Sequence, residues 1–194
     1  MKKIELVYRK ILDKAMKKQF KLTQAELAAA LKISLSTVNH ALKPLVKMGA
    51  IAVARRGFEV IDTKKILYYW CSVRNLEKDI LYKTRVDKSV RQIEAEMPQV
   101  EFTAYSAYKF KFKDVPADYS EVYVYADEKG FEEIKKRFPA SPASKKTPNL
   151  FVLKKDFEGL TVAQLFVDLW QLREWYAKDF LEALGKKIDE KFGG

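Results

Sequence analysis

Apolar residues at spacings of three and four open the chain: Ile4, Val7, Ile11, Leu12 and Ala15 predict an amphipathic helix over about residues 3–18. Thr23-Gln24-Ala25-Glu26 then has the form of a capping box, in which a Thr hydroxyl and a Glu carboxylate satisfy the unpaired amides of a helix start. Behind it, Leu27, Ala28 and Leu31 give the apolar face of a short helix ending near Lys32. Ile33 bridges to Ser34, an N-cap for a third helix with Leu35, Val38, Leu42, Leu45 and Val46 on its inner face and Gly49 as its stop. Pro44 has no amide to offer the carbonyl of His40, so a bend is expected there. The period then changes. Residues 51–54 and 58–61 are short strand-like runs, with Arg55-Arg56-Gly57 a tight turn between them.

Later segments mix the two periods. Asp62 caps an expected helix through Ile66, Leu67, Trp70 and Val73, ending near Asn75, and its apolar face with Tyr68, Tyr69 and Trp70 reads as core. A second helix is expected over about 88–96. Residues 101–112 bring apolar and aromatic side chains close together, with Thr103 in an N-cap position. A strand follows near 122–125, then a short helix with Phe131, Ile134 and Phe138 inward, a polar Pro-rich loop over 139–149, and a second strand over 149–155. The strands are expected to pair in a small mixed sheet. Thr161-Val162-Ala163-Gln164 is another capping box, opening an apolar helix over 162–172 that a longer helix over 173–192 follows.

The stretch TQAELAAALKISLSTVNHALKPLVKMGAI resembles the helix-turn-helix of winged-helix transcription regulators. Small alanines stand where two helices cross, Ile33 fills a short turn, and the second helix opens with Ser and Thr. A hairpin tipped by two arginines, directly after the reading helix, has the form of a wing. The expected partner is double-stranded DNA. Ser36, Thr37, Asn39, His40 and Lys43 lie off the apolar stripe and would face the major groove, where Asn pairs bidentately with adenine and Lys or His reaches guanine acceptors. Thr23, Gln24, Ser34 and Ser36 sit near helix N-termini, where amides and hydroxyls hold phosphates. Arg55 and Arg56 would reach backbone phosphate or an adjacent minor groove. Polar residues on an exposed helix face are also ordinary, and winged helices serve elsewhere as protein-interaction or RNA-binding modules.

Charge sharpens this picture. Residues 1–61 hold thirteen Lys/Arg against four Asp/Glu, a net +9, and the rest of the chain carries only +2 of the total +11. An anionic partner for the first third accounts for that imbalance. A thermophile's lysine-rich surface accounts for the total, and less well for its distribution. Cys71 is the single cysteine, which excludes an internal disulfide and a cysteine-based zinc site. Beside Tyr68, Tyr69 and Trp70 it reads as a buried structural thiol. No apolar run approaches the ~18 residues of a membrane helix. Charges also interrupt the N-terminal stretch where a signal peptide would be apolar. A soluble cytoplasmic chain with no membrane partner, no cofactor and no metal is therefore expected.

Further along, Thr103, Tyr105, Ser106, Ala107 and Tyr108, then Val122-Tyr123-Val124, then Val162 through Trp170 complete a second likeness. With the N-terminal motif they resemble AbiEi-type antitoxins of type IV toxin–antitoxin systems and related archaeal winged-helix regulators. That resemblance implies an autoregulating, antitoxin-like repressor encoded beside a nucleotidyltransferase-like toxin, and the toxin partner rests on the resemblance alone.

Catalytic signals are sparse. There is no Gly-rich phosphate loop, no H-E-x-x-H and no G-x-S-x-G. Asp127-Glu128 end a strand without a second acidic strand, and Ser106 has no activating histidine unless the only one, His40, crosses from the N-terminal segment. Tyr105, Tyr108, Phe110 and Phe112 read as a core and sheet face before a ligand pocket, and Lys145-Lys146 as an exposed basic loop. The expected fold is α+β: a winged helix-turn-helix domain over 1–61, a helical linker region over 62–98, and a mixed α/β C-terminal domain over 99–194, with a small sheet and C-terminal helices, of regulatory or interaction type and non-catalytic. A transcription regulator leads three classes. A protein-interaction adaptor with weak nucleic-acid binding and a nucleic-acid-modifying enzyme dependent on Asp127 are the others. Many winged-helix regulators read two half-sites, so a homodimer is expected beside a monomeric alternative.

Overall fold

Helix α1 (Lys3–Met16) buries Val7, Tyr8, Ile11, Leu12 and Ala15, the stripe its spacing requires, in the computed structural model of the chain, which describes residues 1–140 and 147–192. It ends in a Schellman turn, with Lys18 at φ +60 and the amide of Gln19 donating to the carbonyl of Lys14 at 3.0 Å. Strand β1 (Lys21–Leu22), α2 (Gln24–Leu31), α3 (Leu35–Lys47), β2 (Ile51–Ala54), β3 (Gly57–Val60) and α4 (Thr63–Val73) follow. The strands form an antiparallel sheet in the order β1-β3-β2, with Lys21 opposite Glu59 and Ile51 opposite Val60. Its buried Ile51, Phe58 and Val60 join Val38, Leu42 and Leu45 of α3 in the core. The apolar face of α4 is narrower than its sequence suggests: Trp70 is buried, Tyr69 half-buried and Tyr68 exposed.

Packing divides the chain into two units. The first comprises Met1–Arg74, Thr161–Val167 and Gly185–Gly194; the second comprises Asn75–Leu160 and Asp168–Leu184. Residues 62–98 are thus shared between the units, as are the last two helices, α8 (Val162–Trp170) and α9 (Ala177–Phe192).

The second unit is built on the expected mixed sheet, now with four strands: β4 (Ile80–Thr84), β5 (Glu101–Thr103), β6 (Val122–Ala126) and β7 (Leu150–Lys154), in the order β4-β7-β6-β5. Strands β6 and β7 run parallel, Val122 opposite Leu150, and both outer pairings are antiparallel. One face packs Val122, Val124, Ala126, Leu150 and Val152 against Ile93 of α5 (Val90–Glu96) and Ile134 and Phe138, on and just beyond α7 (Glu128–Arg137). Tyr123 and Tyr125 alternate with these along β6, and Tyr123 stacks on Phe151 of β7 at 4.5 Å. Tyr105, from α6 (Ala104–Phe112), packs edge-on to Tyr123 and to Phe180 of α9.

Three expectations are corrected here. Thr103 stands at the N-cap of α6 but makes no cap bond; its hydroxyl donates to Asp168 Oδ2 at 2.9 Å. The helix over 173–192 starts only at Ala177. Tyr105 and Tyr108 are buried as expected, whereas Phe110 is exposed. Asp127 is the N-cap of α7, its carboxylate accepting from the Gly130 amide at 2.8 Å, and Ser106 is fully buried. Lys145-Lys146 and most of the Pro-rich loop lie outside the described residues. Among the described residues no helix is long and apolar enough to cross a membrane.

Candidate nucleic-acid interface

Two short caps set the helix-turn-helix. At α2, Thr23 Oγ1 accepts from the Glu26 amide and Glu26 Oε2 from the Thr23 amide, each at 3.1 Å, which is the reciprocal box its sequence implies. At α3, Ser34 Oγ accepts from the Thr37 amide at 3.1 Å, and the two hydroxyls lie 2.8 Å apart. Between them Lys32 adopts φ +52, the left-handed turn that redirects the chain. Helix α3 runs on through Pro44 to Lys47 and ends in a second Schellman turn, Gly49 at φ +69 and the Ala50 amide on the carbonyl of Leu45 at 2.9 Å.

The buried face of α3 is Val38, Ala41, Leu42 and Leu45. Ser36, Asn39, His40 and Lys43 are exposed on the opposite side, and Thr37 is half-buried with its hydroxyl at Ser34. No carboxylate interrupts this helix. Lys47, missed in the sequence reading, projects from the same face one turn beyond Lys43; projecting the helix at 3.6 residues per turn would have found it.

Leu35 and Val46 are not on the inner face as expected: they are 54% and 42% exposed. Both lie roughly 60–80° round the helix from Val38, on the flank next to Asn39. Val53 of β2, 72% exposed, adds to this apolar edge. A groove of about 220 Å³ runs between α3 and the hairpin, where Gln24, Asn39 and Lys43 meet Val46 and Val53. The fold therefore brings residues from the start of α2, the exposed face of α3 and the hairpin into one place, which their separation along the chain conceals. Thr23 and Ser34 serve first as caps.

The hairpin pairs Ala54 with Gly57, leaving Arg55 and Arg56 as a two-residue tip, both exposed. Gly57 has φ +110, and a Cβ built on it would lie 2.2 Å from the carbonyl oxygen of Leu22, so β1 admits only hydrogen there.

Residues 9–52 match the family model described as winged helix-turn-helix DNA-binding. Comparison of the chain with curated proteins and with solved structures gave no match. The matched span reaches from within α1 into β2 and holds each candidate contact except Arg55 and Arg56. The N-terminal part of this mixed α/β protein is a winged helix-turn-helix DNA-binding domain.

Proposed function

We propose that the chain is a sequence-specific transcription regulator that reads the major groove with α3 and holds flanking phosphate or minor groove with Arg55 and Arg56. One observation carries this reading: Ser36, Asn39, His40 and Lys43 form an exposed, carboxylate-free face beside a hairpin tipped by two exposed arginines. Asn39 supplies the bidentate group for adenine, Lys43 and His40 the donors for guanine, and the amides at the starts of α2 and α3 the phosphate contacts. Autorepression, a cognate toxin and an archaeal lineage belong to the same proposal and are supported by the resemblance of the 103–108, 122–124 and 162–170 motifs alone. So do a cytoplasmic setting, a non-catalytic C-terminal part and a homodimer on paired half-sites.

Fluorescence anisotropy tests it: the full chain is titrated with the duplex upstream of its own gene and with a scrambled duplex, across a salt series. Tight binding that prefers the native duplex and weakens steeply with salt is the expected result. Equal, weak binding to both would overturn the regulator and favour an adaptor using the apolar edge of Leu35, Val46 and Val53.

A further inference from the structure

A cleft of about 660 Å³ opens in the first unit between α1, β1 and α2, and it shares no lining residue with the groove beside α3. Lys10, Lys14, Lys18 and Lys21 line it. Lys10 and Lys14 stand one turn apart on α1 and are half-buried. Neither is ion-paired among the described residues; Asp13, the acid next to Lys14, is held by Lys17 at 3.0 Å. The half-buried stems of Lys10 and Lys14 hold two ammonium groups on one wall of the cleft, and that pair of like charges favours an anion placed between them.

The carboxylates at the cleft do not supply that anion. Glu26 Oε2 is engaged by the Thr23 amide in the capping box, and Glu59, opposite Lys21 in the sheet, makes no ion pair among the described residues. The floor is apolar instead: Leu22 and Leu27 are buried and Phe20 half-buried. The volume falls within the ~300–1,000 Å³ of small-molecule sites. An apolar floor with acids at the rim suits a phosphodiester backbone poorly.

We infer that this cleft binds a small amphiphilic anion, its aromatic or acyl body against Phe20 and Leu27 and its carboxylate, sulfonate or phosphate on Lys10 and Lys14. The inference does not depend on what α3 reads. Its test uses the full chain without DNA and two fluorescent probes: anilinonaphthalene sulfonate, and phenylnaphthylamine, the same ring system without the acid. The sulfonate is expected to bind about tenfold more tightly than the amine. Lys10→Gln with Lys14→Gln should remove that advantage and leave amine binding unchanged. Lys21→Glu, at an exposed position, should also weaken the sulfonate, which covers the case in which the double variant fails to fold. Equal affinity for the two probes, or sulfonate binding indifferent to these substitutions in folded protein, would overturn the assignment. So would displacement of the sulfonate by an acidic amphipathic peptide and not by benzoate or octanoate, which would make the cleft a protein-docking surface.

Discussion

Arg74 places a guanidinium nitrogen 3.3 Å from Glu5 Oε2, with both side chains 1% exposed. The same oxygen accepts from Trp70 Nε1 at 3.2 Å, while Glu5 Oε1 accepts from the Lys2 amide at 3.3 Å. One carboxylate thus ties the start of α1 to the end of α4, the helix that follows the wing. Removing one partner of a buried pair costs about 3–5 kcal/mol, whereas replacing both with apolar groups is often nearly neutral. Glu5→Gln is therefore expected to lower the urea midpoint sharply, and Glu5→Leu with Arg74→Met much less. A double variant no more stable than Glu5→Gln would show that packing, and not the ion pair, governs this joint.

At the interface, two kinds of contact leave different signatures. Each lost phosphate contact reduces the slope of log K against log salt by about 0.9, so Arg55→Ala with Arg56→Ala should flatten it by about 2 on every duplex. Asn39→Ala should leave the slope alone and reduce discrimination between native and altered sites by ~1–3 kcal/mol. Anisotropy titrations on both duplexes separate the two. An arginine variant that changed sequence preference would place the wing in base readout.

Lys32 holds φ +52 at the end of α2 and is exposed, so its side chain gains little there to offset a left-handed backbone. That conformation costs an L residue roughly 1–2 kcal/mol. Lys32→Gly should raise the thermal midpoint; a lower one would mean that the turn is not left-handed in solution.

The second unit holds its phenols neutral. Tyr105 and Tyr123 donate to the two oxygens of Glu174 at 3.0 and 3.1 Å. Burial first, and that carboxylate second, push both well above the ordinary tyrosine range. Tyr108 is pushed up to about 12 by burial and by its bond to Asp114. The unfolded chain ionises its tyrosines near ~10. Stability from these groups is therefore complete below that pH and falls as pH rises above it, the Tyr108 contribution being lost through about 12 and those of Tyr105 and Tyr123 later. In alkaline titration, tyrosinate absorbance for this set should rise together with the loss of circular dichroism. Ionisation of Tyr105 and Tyr123 in the still-folded protein would refute their burial against Glu174.

The elements of the winged domain other than the two-residue β1 are legible because each rests on local chemistry: a 3.6-residue stripe in α1, the Thr23–Glu26 box, and Gly49 and Gly57 where the backbone turns left-handed. What local pattern cannot show is where a stripe stops. Leu35 and Val46 have the right hydrophobicity and stand on the flank that no neighbouring element covers. Strand β4 is hidden in the sequence because burial alternates along it while hydrophobicity does not: Leu81 is apolar yet exposed on the same face as Lys83, and the register shifts between Ile80 and Tyr82. Thr103 looked like a cap, and only the fold brings Asp168, distant in sequence, within reach of its hydroxyl. The candidate contacts were legible one by one as polar residues off a stripe. Their meeting with Gln24 around one groove was not, since it depends on how the hairpin lies against α3.

The closeness of Gly57 to the Leu22 carbonyl sets unequal freedoms on neighbouring residues. Among the described residues Arg55 and Arg56 are exposed and make no hydrogen bond or ion pair, so the tip can exchange charge, length or polarity and retune its grip on a new site without disturbing the core. The residue immediately after them has no such latitude, because any side chain there would push the wing off β1. Descendants of this chain can alter what the wing says to DNA, while the hinge from which it speaks must stay glycine.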